Sequence, residues 1–186
     1  VTQEYGYSLL LSSSKDHFQE EEQALKMVKE RRVDGLLILA SRANDSLIEK
    51  LQKGNHPFVL VGRIPGEEDL YWVNNDNIQA AKRAVTYLTG LGHSKIGLLV
   101  GSSDYVVSQD RLEGYKQGLL EAGIDFEPSL VEEVDFTEES GYQGMGSLLE
   151  RNPDITAVFA IDDLLALGAM KAIKERNLSI PEDISV

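Results

Sequence analysis

The stretch Ala157-Val158-Phe159-Ala160-Ile161 runs through Asp162-Asp163 into Leu164-Leu165-Ala166-Leu167-Gly168-Ala169-Met170-Lys171-Ala172-Ile173. Its first five residues are apolar without alternation, which suits a strand covered on both faces by helices. Its last ten carry Leu164, Leu165, Leu167, Ala169 and Ile173 at helical spacing. Between the two, a carboxylate can cap the helix by accepting from its free amides. Asp163 is the expected cap, and Pro181 prevents the helix from continuing. This is one strand–helix unit of a parallel α/β sheet.

The same pattern repeats outward along the chain. Apolar runs stand at Tyr7–Leu11, Leu36–Ala40, Phe58–Val61, Ile96–Val100 and Leu130–Val134. Helical spacing links Ile78, Ala81, Val85 and Leu88, and again Leu112, Tyr115 and Leu119. Gly90-Leu91-Gly92 and Gly123 are suited to end these two helices. A helix around Ser140–Leu149 is a weaker reading, because Gly141, Gly144 and Gly146 each disfavour it. Alternation of strand and helix predicts a doubly wound α/β fold. The best internal boundary is Leu91–Ser94, giving lobes 1–92 and 93–186.

Composition narrows the function. The 186 residues contain no cysteine, which removes thiolate catalysis, disulfides and zinc–thiolate sites together. Net charge is −13; residues 1–92 carry 13 acids and 11 bases, residues 93–186 carry 18 and 7. Neither half offers a basic face for phosphates, so any DNA contact belongs to a separate domain. No apolar run approaches the length of a membrane span, and no membrane partner is expected. Val1-Thr2-Gln3-Glu4-Tyr5 lacks a secretory leader's pattern, and a cytoplasmic location is the expectation.

Enzymatic motifs are missing. Gly101-Ser102-Ser103-Asp104 follows a strand but has neither dinucleotide-type glycine spacing nor a P-loop lysine. His17, His56 and His93 are far apart and without metal-ligand spacing. No nucleophile elbow is present. A protein without catalysis, cofactor or metal is expected, with His93 a structural residue at the lobe boundary.

Six segments in order carry a resemblance: Val33-Asp34-Gly35-Leu36-Leu37-Ile38, Pro57–Arg63, Val73-Asn74-Asn75-Asp76-Asn77, Leu91-Gly92-His93, Arg111-Leu112-Glu113-Gly114-Tyr115 and Asp163–Met170. Together they resemble the lactose-repressor (LacI/GalR) family of transcriptional regulators, and Gly62-Arg63 with Val73–Asn77 is most similar to its maltose-repressor branch. The resemblance implies a periplasmic-binding-protein-like fold: two lobes, a sugar effector in the cleft between them, and allosteric control of operator DNA through an N-terminal helix-turn-helix domain outside this sequence. It also implies a homodimer. An extracytoplasmic sugar-binding protein of a transport system would share the fold, but the Arg111–Tyr115 and Asp163–Met170 motifs favour the regulator.

The resemblance, with the strand ends, selects the candidate ligand residues. Arg111, read as opening a helix at the cleft, is implied to donate a bidentate fork to sugar hydroxyls; a cation is unusual at a helix start, which favours a functional reason. Asp162 emerges directly after a strand, where relatives carry a neutral polar residue, and either binds hydroxyls or caps. Phe136 stands where relatives stack an aromatic ring on the ligand, and either does so or folds onto its own lobe. Asp76 either contacts ligand or braces the hinge. Asn74 departs from the acid common at its position. Tyr105, in the Gly101–Asp110 loop, is a wall residue. The 2-1-3-4-5 strand order usual for such sheets makes Tyr7–Leu11 the second strand and Leu36–Ala40 the third. A strand–helix unit before Val1 and a strand after Val186 are therefore expected, with no direct ladder between those two runs.

Overall fold

The computed structural model describes residues 2–13, 17–39, 42, 45–66 and 69–186, which divide into two compact units, Val1–Val73 and Asn74–Val186. In the first, a 3₁₀ turn at Thr2–Tyr5 precedes helix α1 (His17–Lys29), strand β1 (Leu36–Leu39), helix α2 (Ser46–Lys53), β2 (Phe58–Val61) and β3 (Trp72–Val73). The strands are parallel in the order β1-β2-β3, with Leu36 opposite Phe58 and Leu60 opposite Trp72. One face of this sheet buries Leu36, Ile38 and Phe58 against Val28, Leu47 and Leu51 from α1 and α2. Asp45 caps α2 through Leu47 N at 3.0 Å, and Glu21 of α1 receives both the Ser46 hydroxyl and the Lys50 ammonium of α2.

One expected strand is absent. Tyr7–Leu11 forms no regular structure, and Tyr7, Leu9, Leu10 and Leu11 are exposed. Strand conformation is held by a ladder, and no ladder joins these residues to β1 among the described residues. Conversely β3 has no separate sequence signature, because its two residues are too few for a periodic signal. Ala40 lies outside the described residues.

The second unit follows the expected alternation: α3 (Asn77–Gly90), β4 (Ile96–Val100), α4 (Val106–Glu121), β5 (Val131–Glu133), α5 (Glu138–Arg151), β6 (Ala157–Ala160) and α6 (Asp163–Glu175). A 3₁₀ turn at Pro128–Leu130 takes the first residue of the predicted Leu130–Val134 strand. Strand order is β5-β4-β6, all parallel. Ser185 then pairs in parallel with Ala157, so the chain's end extends the sheet beyond β6. Relative to β4 as first strand, the order is the 2-1-3 core of a doubly wound sheet. β4 is buried along its whole length, as a central strand covered on both faces must be. Helix α3 packs on α4, so the contact boundary falls at Val73/Asn74, ahead of Leu91–Ser94.

Two glycine contacts set how closely the helices approach. A Cβ at Gly114 of α4 would lie 2.2 Å from the Ile78 carbonyl of α3, and one at Gly168 of α6 would lie 2.1 Å from the Glu138 carbonyl of α5. Helix α5 forms despite its three glycines: Thr137 caps it through Ser140 N at 3.1 Å, and Gly141 meets the Leu165 backbone. Tertiary packing outweighs helix propensity there.

Tyr115 is the largest fully buried side chain, and its hydroxyl donates to the Ile96 carbonyl at 2.7 Å. Burial, followed by the Glu127 carboxylate, pushes its pKa well above the ordinary phenol range. The native state therefore keeps this proton where the unfolded chain loses it, above about pH 10. Stability from this group is fully present below that pH and declines as pH rises through the native pKa. Tyr115→Phe is expected to cost about 1 kcal/mol at neutral pH and to remove part of the alkaline decline. Urea melts at pH ~8 and ~11 check both; an equal alkaline loss in wild type and variant would contradict the second.

Candidate functional site

All five candidate residues belong to the second unit. Ligands of open α/β sheets bind beyond the carboxyl ends of the strands, where the strand order reverses. Here that point lies between β4 and β6, bordered by Gly101–Tyr105 after β4, Val134–Thr137 after β5 and Ile161-Asp162 after β6.

Arg111 is half-buried on α4. Its Nε donates to Asn77 Oδ1 at 3.1 Å, and Nη1 donates to the Ile161 carbonyl at the end of β6. Of the five N–H donors of a guanidinium, these use two, and the other three have no partner among the described residues. The helix-start reading of Arg111 is corrected: α4 begins at Val106, so Arg111 sits in the second turn, with no clash with the helix dipole. The apolar Val106-Val107 pair concealed this earlier start, because it carries no capping signal.

Asp162, not Asp163, caps α6: its Oδ1 accepts from Leu164 N at 2.9 Å, while Asp163 is the first helical residue. The extended backbone at Asp162, φ −146° and ψ 151°, suits a cap that a helical residue cannot be. A carboxylate has a second oxygen, so capping and hydroxyl binding are compatible. Asp76 likewise caps α3, accepting from Gln79 N at 3.0 Å, and is exposed.

Phe136 and Tyr105 form an edge-on ring pair, centroids 5.6 Å apart at 85°. The Phe136 ring lies on Gly101, where a Cβ would come within 2.2 Å of ring Cζ, so a larger residue there would displace the ring. Tyr105 is the N-cap residue of α4 rather than the middle of a long loop, and it makes no side-chain cap bond.

The structure thus brings Arg111 and Asp162 together through Ile161, and Phe136 together with Tyr105, at one end of one sheet. Asp76 stands next to Asn77, the partner of Arg111. Sequence reasoning missed Asn77 as a site residue; its position directly after Asp76 in the Val73–Asn77 segment was the available signal.

Other features do not compete. Depressions in the first unit, lined by Gly35, His56, Pro57 and Tyr71, lie at the amino ends of β1 and β2, away from the strand ends that bind ligands in such folds. His93 Nδ1 meets Thr156 Oγ1 at 2.9 Å, joining the segments that lead into β4 and β6. Among the described residues no group of acids and histidines is arranged to hold a metal ion, and no helix is long and apolar enough to cross a membrane.

Residues 1–186 match the family model described as periplasmic binding proteins and sugar binding domain of LacI family. The chain is 35% identical over 185 residues to the transcriptional regulator CelR of Thermobifida fusca, covering 98% of this chain and 54% of that protein. It is 36% identical over 183 residues to the transcriptional repressor CytR of Escherichia coli, covering 98% and 53%. The solved CelR–cellobiose complex superposes with a TM-score of 0.92 at 35% identity, covering 99% of this chain and 57% of that one. The regulator CcpA of Lactococcus lactis gives 0.89 at 31% identity, covering 99% and 67%. The chain spans about half the length of the curated relatives it matches.

Proposed function

We infer function from the family to which this chain belongs, that of the periplasmic binding proteins and LacI-family sugar-binding domains, and propose that it is the ligand-sensing core of a sugar-responsive transcriptional repressor. The observation that carries this is Arg111, half-buried with three donors uncommitted and bonded to the Ile161 carbonyl at the strand end that Asp162 directly follows. Donor and acceptor placed together match the paired hydroxyls of a sugar, which both give and accept hydrogen bonds. Phe136 and Tyr105 supply the ring faces on which an apolar sugar face packs. The named relatives are helix-turn-helix regulators, which supports a regulator over the transport alternative.

In this reading the site does no chemistry. The sugar acts by binding one conformation better than another. The response passes to operator DNA through a separate helix-turn-helix domain in a homodimer, whose paired readers match half-sites about one DNA turn apart. Asp104, Glu133, Asp135, Asp162 and Asp163 lie on the loops and strand ends around the site. Their charge favours an uncharged sugar over a phosphorylated one, since like charges repel.

A thermal-shift panel of neutral mono- and disaccharides and their phosphates, with cellobiose included because one relative holds it, tests the proposal. A sugar at 100 times its dissociation constant adds about 2.7 kcal/mol and raises the melting temperature. A panel in which only sugar phosphates stabilise the protein would contradict the electrostatic reading. A panel in which no sugar does so would contradict the function.

A further inference from the structure

We propose that Asn77 is the positioning residue of this site: it holds the Arg111 guanidinium in the orientation that meets ligand. The inference rests on the reading of Arg111 as the ligand-binding donor, and deepens it.

Asn77 is the first residue of α3 and only 7% exposed, although its side chain is fully polar. All of that polarity is used. Nδ2 donates to Asn74 Oδ1 and to the Asn75 carbonyl, each at 3.2 Å, and Oδ1 accepts from Arg111 Nε at 3.1 Å. The opposite amide orientation would set Nδ2 donors against the guanidinium donors and Oδ1 against two acceptors, so the network permits one arrangement. Arg111 is then gripped at two points, Nε by Asn77 and Nη1 by the Ile161 carbonyl. A planar guanidinium fixed at two of its nitrogens has its plane fixed, and the uncommitted donors take one direction. Without Asn77 a single bond remains, about which a long side chain can swing. Preorganisation of this kind raises affinity because less motion is lost on binding. The anchor itself is the polar Asn74–Asn77 segment that opens the second unit.

The test uses full-length ¹⁵N-labelled protein and reads solvent exchange of the Arg111 Nε–H, assigned by its disappearance in Arg111→Lys. Asn77→Ala is expected to speed that exchange about tenfold, the equivalent of one hydrogen bond near 1.4 kcal/mol. Asn77→Asp keeps an acceptor facing Nε. It gives up the two Nδ2 bonds, but its charge-assisted bond to the guanidinium is stronger, so exchange is expected to return to within about twofold of wild type. Asn77→Leu, which fills the site without an acceptor, replaces the alanine variant if that is poorly folded. Exchange unchanged in Asn77→Ala, or equally fast in both variants, overturns the proposal. Calorimetric titration with cellobiose separates this from the site reading. Loss of cellobiose binding in Arg111→Ala with unchanged Nε exchange in Asn77→Ala defeats positioning alone. Cellobiose affinity untouched by Arg111→Ala, with accelerated exchange in Asn77→Ala, defeats the site reading and with it the role in ligand binding, leaving only the Asn77 grip on Arg111.

Discussion

Arg111→Ala is expected to weaken binding of the stabilising sugar by at least about a hundredfold while leaving the fold intact. Hydrogen bonds to a charged donor contribute about 1.5–3 kcal/mol each. A guanidinium with three uncommitted N–H groups can offer two such bonds to neighbouring hydroxyls, and losing both costs about 3 kcal/mol or more. The truncation also frees the Ile161 carbonyl and Asn77 Oδ1. Both belong to buried residues, Ile161 3% and Asn77 7% exposed, so stability should fall by about 1–3 kcal/mol while the fold survives. Calorimetric titration beside a thermal melt separates the two effects. Affinity within about threefold of wild type would remove Arg111 from the site.

Gly168→Ala is expected to be strongly destabilising for a change of a single methyl group. The added Cβ would lie 2.1 Å from the Glu138 carbonyl and 2.5 Å from Tyr142 N, both backbone atoms of α5. Backbone in a helix cannot rotate aside as a side chain can, so α5 and α6 must separate. That disturbs Leu165, Ala169, Met145 and Leu148, all fully buried. Overpacking costs about 1–3 kcal/mol where neighbours can adjust, and this site should reach or exceed the upper end. Denaturant titration measures it. A loss below about 1 kcal/mol would mean that the helix pair is more compliant than its geometry indicates.

The second unit was legible in the sequence because its strands are covered on both faces. Ile96–Val100 and Ala157–Ile161 read as unbroken apolar runs for that reason, and the parallel sheet between helices follows. Two of the glycine-bearing motifs, those on helices α4 and α6, were legible as patterns but not as packing. Gly114 in Arg111–Tyr115 and Gly168 in Asp163–Met170 mark where helix backbones meet, and the partner helix is invisible in a local reading. Helix α5 was underweighted for the same reason. Tyr7–Leu11 was misread because an apolar run becomes a strand only where a neighbour completes its ladder. At the site, the family resemblance together with the strand ends selected Arg111, Phe136 and Tyr105, which lie at the same end of one sheet. The capping role of Asp162 and the anchoring role of Asn77 depend on backbone angles and on contacts 34 residues apart in sequence, which composition and spacing do not encode.

The most direct test of the sugar-sensing account is a crystal structure of the protein with the sugar that raises its melting temperature most. The account predicts sugar hydroxyls on the free donors of Arg111 and on the Asp162 carboxylate, with the Phe136 ring against an apolar face of the sugar. Sugar bound elsewhere, with the Arg111 donors occupied only by water, would contradict it.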